Sequence, residues 1–217
     1  MGTIGIEMNS KTIKEIRRLY AEIDRHCLSF CLATGLRCLE GCGVCCSAHK
    51  VEAQPLELLP AIVALHKKGE MEQWLTRLSS GSVDSGTCLF YTSEIVSGGH
   101  CLIYNWRPVM CRLFNFAVFT RKDGQGIFQA CKPLQDARPD LVQTVQEKIA
   151  GNLAAPRLTQ YAMQVFGIDG NAGLVPINHA LKIAIERYGL QLELLGKERE
   201  GRLKALSGKG FSPSLAA

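Results

Sequence analysis

No stretch of this sequence approaches the roughly 20 unbroken apolar residues that a membrane-spanning helix needs. Its opening segment, MGTIGIEMNSKTIKEIRR, has no apolar run of the kind a secretory leader carries. Ile6 stands where a myristoylation signal after Gly2 would place Ser or Thr. These absences lead us to expect a cytoplasmic protein, in which thiols stay reduced. There is also no Gly-rich phosphate loop, no serine nucleophile elbow and no pair of catalytic carboxylates. The net charge is +5, but Lys67-Lys68, Arg121-Lys122 and the basic residues from Lys197 to Lys204 are scattered. They lack the interleaved aromatics of a nucleic-acid surface, so such a partner is not expected. No internal repeat is visible. His26, His66, His100 and His179 show no mutual ligand spacing. His49, three residues beyond Cys46, is spaced to be an extra ligand, but as a lone histidine it reads as a surface or supporting residue.

What the chain does have is cysteine, ten of them in 217 residues. A chain of this size buries roughly 70% of its unfolded surface. Its 47% hydrophobic and 21% charged residues are ordinary for a globular protein. Size therefore gives no reason for a disulfide scaffold, and in a reducing compartment cysteines read as ligands or reactive groups. Four fall in the nine residues CLEGCGVCC, at Cys38, Cys42, Cys45 and Cys46, where Gly41 and Gly43 free the backbone to wrap. Four more follow at Cys88, Cys101, Cys111 and Cys131. Cys27 and Cys31 complete the set, spaced four apart on an apolar helical stripe, and we read them as core packing.

The pattern predicts a mainly α fold with a small antiparallel β-hairpin, its cysteine-rich, metal-centred core flanked by helices. Residues 10–33 read as one amphipathic helix, capped by Ser10 and ended by Gly35, with Ile13, Ile16, Tyr20, Ile23, Cys27, Phe30 and Cys31 on one face. A helical stretch over 55–80 starts with Pro55 and breaks at Gly69; residues 81–87 are a loop. FNFAVFT (114–120) and GIFQAC (126–131) flank Asp123-Gly124, a hairpin signal. Helices are expected again over 139–150, 157–166, 177–188 (with Gly189 ending it) and 190–206. We expect a single domain over 1–207, with the metal-binding core at about 38–132, helical flanks at 10–34 and 139–206, and a disordered tail at 208–217. Asn115 and Asn178 carry no signal beyond capping.

Four thiolates around Zn²⁺ or a [4Fe–4S]²⁺ core both sum to a charge of −2, so such a site calls for positive charge and donors nearby. Arg107 and Arg112 flank Cys111 in YNWRPVMCR and could donate to thiolate or cluster sulfur. Tyr104 and Trp106 would pack around it. Arg107, Arg112 and Tyr104 are thus the candidate cofactor-contacting residues. In extended backbone, adjacent side chains point to opposite sides. Cys45 and Cys46 would then fit one mononuclear ion poorly, which favours two metals or two corners of a multi-iron cluster. A clustered triad with distant further ligands is also an iron–sulfur pattern, whereas structural zinc more often takes separated CxxC pairs.

CxxxCxxCC at 38–46, then Cys88, then CLIYNWRPVMCR at 101–112, then Cys131, resembles the cysteine-cluster family described as a zinc- or iron-chelating domain. The matching positions are Cys38, Cys42, Cys45, Cys46, Cys88, Cys101, Tyr104, Arg107, Pro108, Cys111, Arg112 and Cys131. The resemblance implies that the eight cysteines are metal ligands. It is more distantly similar to flagellin lysine N-methylases, which carry a related cluster and use S-adenosylmethionine. Cys38, Cys42 and Cys45 also spell the CxxxCxxC of radical S-adenosylmethionine enzymes. Here, however, the motif follows a helix rather than a strand, no alternation of strand and helix comes after it, and Val44 stands where an aromatic is usual.

Three functions follow as expectations: a [4Fe–4S] protein with a redox or partner-supporting role, a zinc-stabilised binding or scaffold module, and an S-adenosylmethionine-dependent protein lysine methyltransferase. A purely structural metal also accounts for the cysteines, since metal binding alone can contribute about 10–16 kcal/mol to folding in small zinc modules. In the first two readings the partner is an unidentified protein.

Overall fold

The computed structural model describes residues 2–39, 42–47, 51–79, 83, 86–92, 100–168 and 173–194. The first helix, α1 (Gly2–Thr34), starts eight residues before Ser10, so Ser10 is not its cap. It ends where expected. Gly35 takes the left-handed φ of 75° and its N–H closes on the Cys31 carbonyl at 2.8 Å. At 33 residues the helix is about 50 Å long, enough to serve two cores. Ile16, Leu19, Tyr20 and Ile23 enter the larger core, and Phe30 enters a smaller one further along. Ile13, Cys27 and Cys31 on the same stripe are only half-buried.

The larger core is closed by a 3₁₀ turn, Pro55–Leu58, running into α3 (Leu59–Lys68), then by α4 (Met71–Ser79) and α9 (Ile177–Ala184). Leu58, Ile62, Ala180, Leu181 and Ala184 are fully enclosed there, and Trp74 meets Phe90 at 4.8 Å between ring centroids. Each large aliphatic side chain so buried contributes about 1.5–3 kcal/mol. Gly69, at φ 73°, separates α3 from α4 as the sequence predicts. Gly189 does not end a helix. The chain continues helically from α9 through a wide π turn, Ile185–Gly189, to residue 194. Gly189 instead permits close approach, because a Cβ there would sit 2.7 Å from the Met71 methyl.

The smaller core joins Phe30 and Leu36 to the predicted hairpin, β4 (Val118–Thr120) and β5 (Gly126–Phe128), turning at Gly124 with φ 83°. Strand pairing begins at Val118, later than 114, because Phe114 to Ala117 are still turning out of α5 (Val109–Leu113). The helices α6 (Lys132–Ala137) and α7 (Pro139–Ala150) cover this hairpin, and α8 (Leu158–Ile168) returns to α1.

Two more antiparallel ladders of two residues per strand join distant parts of the chain. β1 (Glu52–Ala53) pairs with β6 (Val175–Pro176), and β2 (Tyr91–Thr92) pairs with β3 (His100–Cys101). The fold is mainly α, as expected, with β structure confined to such short pairs. Among the described residues no helix is long and apolar enough to cross a membrane.

Candidate metal centre

Four chain segments bring the eight cysteines towards one another, and each is held by a different device. In the first, Cys38 and Cys42 follow the α1 terminus, and Cys45 and Cys46 ride on α2 (Val44–Ser47), a single helical turn. The Cys46 N–H bonds the Gly43 carbonyl at 2.9 Å. Gly43 permits close approach here, because a Cβ would meet the Tyr91 ring unless that ring shifted. The turn changes one sequence inference. Cys45 and Cys46 are not extended with side chains on opposite sides; their sulfurs stand 3.9 Å apart.

The second segment is stitched to the first through backbone, with the Cys88 N–H bonding the Cys46 carbonyl at 3.0 Å. Asn178, on α9, clamps the same loop. Its Oδ1 accepts from the Leu89 N–H at 2.9 Å, while its Nδ2 donates to the carbonyls of Thr87 (2.9 Å) and Val83 (3.3 Å). The β2–β3 ladder then sets Cys101 opposite Tyr91.

In the third segment Cys111 sits on α5. The first amide of that helix, Val109 N–H, donates to the buried Glu57 Oε1 at 2.8 Å, and Glu57 Oε2 accepts from Gln54 N–H at 2.7 Å. Burial raises the Glu57 carboxyl above its ordinary range, and the two amide bonds partly offset this. The fourth segment places Cys131 at the start of α6, its N–H bonding Asn115 Oδ1 at 3.0 Å. Asn115 is 6% exposed and holds a left-handed φ of 70°. Its Nδ2 is buried without a hydrogen-bond partner.

The two candidate arginines separate clearly. Arg112 is buried and committed to protein oxygen. Nη1 meets both carboxylate oxygens of Asp24 (2.6 and 2.7 Å), Nη2 the Asn105 carbonyl (2.5 Å) and Nε the Arg107 carbonyl (2.8 Å). Its plane also lies 4.1 Å from the Tyr20 ring centroid. Arg112 therefore braces α1 against the 101–112 segment, where the sequence suggested a donor to sulfur. Burial and neighbouring thiols raise Cys45, Cys46 and Cys111, and Arg107 opposes that rise; Cys27, raised chiefly by burial, feels both Arg107 and Arg112. The Arg107 guanidinium stacks 3.6 Å over the exposed Tyr104 ring, so Tyr104 supports Arg107 rather than enclosing the cysteines. Trp106 is half-buried against the larger core under Arg17.

The thiols themselves disfavour ionisation together. A hydrogen bond to Cys46, then burial, raises Cys45. Cys46 is pushed up to about 11 by its bond to Cys101, and Cys101 is correspondingly lowered. Burial lifts Cys88 to about 11 and raises Cys111 further, with neighbouring thiols adding to both. Cys38 and Cys131 are raised by burial, then by neighbours that include Cys42 and Cys45.

Among the described residues no three cysteine, histidine or acidic side chains are drawn tightly enough together to hold an ion as they stand. The donor chemistry nonetheless fits a soft metal. The eight thiols on these segments are unbridged, and burial or neighbouring thiols raise Cys38, Cys45, Cys46, Cys88, Cys111 and Cys131, with Arg107 and one buried amide donor that lacks an acceptor on the same segments. All eight predicted ligands lie on these four segments. His49 and the side chain of His100 fall outside the described residues. Cys27 lies off the set: it is pushed to about 12 by burial, with its Sγ 4.0 Å from the Arg112 carbonyl.

Glu57, Asn115 and Asn178 were not legible as site residues, since their role is to receive or supply main-chain bonds from distant segments. Comparison with curated proteins and with solved structures returns no match. A family model does match, over residues 37–149, which is more than half of the chain and includes all four segments. With that match added to the converging thiols, the chain belongs to the CxxCxxCC family, described as a "putative zinc- or iron-chelating domain".

Proposed function

We propose that this metal-binding chain holds iron, as an iron–sulfur cluster of the [4Fe–4S] type, and serves a redox or partner-supporting role in a reducing compartment. The observation that carries this reading is the crowding of Cys45, Cys46, Cys88, Cys101 and Cys111, whose thiols act on one another. A cysteine cluster at Cys38, Cys42, Cys45 and Cys46 with further cysteines far along the chain supports iron, since iron–sulfur sites use that pattern whereas structural zinc more often takes separated CxxC pairs. A bound cluster supplies one-electron transfer. The chain supplies thiolates from rigidly clamped segments, positive charge from Arg107 and a half-buried setting that limits water. Purified without oxygen, the full chain should be brown and contain iron and acid-labile sulfide in equal amounts. Colourless protein with stoichiometric zinc would overturn the iron reading.

A zinc-stabilised scaffold is the second reading, favoured by the 3.9 Å between the Cys45 and Cys46 sulfurs. That is close to the edge of a tetrahedron of sulfurs around zinc, about 3.8 Å for Zn–S bonds of ~2.3 Å. The same sample would then contain zinc and be indifferent to oxygen. The S-adenosylmethionine-dependent methyltransferase reading rests on resemblance alone. Calorimetric titration of the metal-loaded chain with that cofactor tests it, and absence of heat counts against it.

A further inference from the structure

We propose that the outward face of α1 docks an acidic amphipathic helix of a partner protein. The surface needs no metal, so it stands or falls apart from the metal centre.

A helix that covers a core needs one apolar stripe, and the rest of its surface is polar. On α1 a second stripe runs along the outside. Lys14, Arg18, Ala21, Arg25, Leu28 and Leu32 follow one another at alternating steps of four and three residues. That spacing makes the seam along which two helices interlock. All six residues are exposed, Leu28 at 60% and Leu32 at 76%, whereas Ile16, Tyr20, Ile23 and Phe30 face the cores. From Lys14 to Leu32 the seam is about 27 Å long at the ordinary helical rise. Its rims are built by neighbours. On one side Arg17 lies 4.9 Å over the Trp106 ring, and Arg112 ties Asp24 to the 101–112 segment. On the other, Arg18 and Glu22 line a groove with Gln164 and Gly167 of α8.

Charge selects the occupant. Three cations occupy the first two-thirds of the seam, and two leucines end it. Of the acids beside them, Asp24 gives both oxygens to Arg112, and Glu15 lies 4.0 Å from Lys11. Arg25 spends one N–H on its own helix, at the Ala21 carbonyl. Among the described residues Lys14 and Arg18 have no ion-pair partner. A helix laid on the seam thus meets cations that call for carboxylates, then leucines that call for apolar side chains. A second copy of this chain fits poorly. Laid parallel it sets cation against cation, and antiparallel it sets Lys14 against Leu32 and Arg18 against Leu28. A lipid surface takes cations flanking an apolar stripe along its length, not preceding it in line. A nucleic-acid backbone uses the cations and leaves the leucines in water.

The test is fluorescence anisotropy with the full-length chain, purified without oxygen, and a labelled synthetic helix of about three heptads. The peptide carries Glu at the seam positions that face Lys14, Arg18 and Arg25, and Leu at the others. Binding should saturate at one peptide per chain. Arg18→Glu together with Arg25→Glu should weaken it about tenfold or more, and replacing the peptide's Glu by Lys should restore it. Leu28→Ser together with Leu32→Ser should also weaken it. These side chains are exposed, so circular dichroism and metal content should match wild type in both variants. Binding no tighter than that of a scrambled peptide, or indifferent to the charge reversal, overturns the proposal. So does self-association of the chain that Leu28→Ser with Leu32→Ser abolishes. Tighter capture by phosphatidylserine vesicles or single-stranded RNA, lost in the same variants, overturns it as well and assigns the face to that partner.

Discussion

Ile62 on α3 is fully buried and Cys88 in the loop before β2 is half-buried, and the two are held by different means. Ile62 is fully enclosed by side chains that its own helical period and those of α1 and α9 place around it. Cys88 sits in irregular chain, held by a carbonyl of Cys46 and by a loop that Asn178 clamps with three hydrogen bonds. The helical shell is a sum of many apolar contacts, so it loses stability in increments. The cysteine segments depend on a few polar clamps and, on the proposed reading, on bound metal, so they are expected to fail together. Local geometry agrees: the cysteine segments contain helices of four and five residues and strands of two, too short to persist alone.

Metal removal should separate the two regions most widely. Metal binding contributes about 10–16 kcal/mol in small zinc modules. Chelation, or Cys42→Ser or Cys45→Ser, should therefore lower metal content, soluble yield and melting temperature, and speed hydrogen exchange across 42–47 and 100–131 well before α3 and α9. Equal protection in both regions after metal loss would break the contrast. Ile23→Ala is the converse, a cavity in the shell costing about 2–5 kcal/mol. Chemical denaturation should show that loss, with metal per folded chain unchanged.

Asn178→Ala lies at the boundary. It strands the Leu89 amide and two carbonyls, and each group left buried and unpaired costs about 1–3 kcal/mol. Exchange should quicken first at residues 86–92, the loop that it clamps. The smallest effect is expected from Cys27→Ala, about 1 kcal/mol of packing with metal retained. Measured metal loss would move Cys27 into the ligand set. Cys27 also carries a pH signature. Its folded pKa of about 12 lies above the usual thiol value near 8.5. Its contribution is therefore complete below pH ~8.5 and is lost as pH rises through 12. The stability difference between wild type and Cys27→Ala should shrink over that window.

The shell was legible because its physics is periodic. The stripe from Ile13 to Cys31, the breaks at Gly35 and Gly69, the helices from 139 and 158, and the Asp123-Gly124 turn all follow from spacing and backbone freedom. Gly189 misled because a glycine that lets Met71 approach looks, in sequence, like one that ends a helix. The cysteines were legible as a set, and their family is shown. Their supports were not. Glu57 to Val109, Asn115 to Cys131 and Asn178 to Leu89 join residues 16 to 89 apart, and no local pattern encodes such a bond. The Cys45–Cys46 geometry was misjudged for a related reason: a turn of four residues carries too little sequence to announce itself.

The order of the cysteines along the chain has a consequence for synthesis. The Cys46 carbonyl waits for Cys88, and the smaller core waits for Cys131 and the helix it begins. While the ribosome is still making that stretch, the early sulfurs are bare and open to oxidants. On the proposed assignment of the eight cysteines as ligands, metal loading is complete only after Cys131 has left the ribosome.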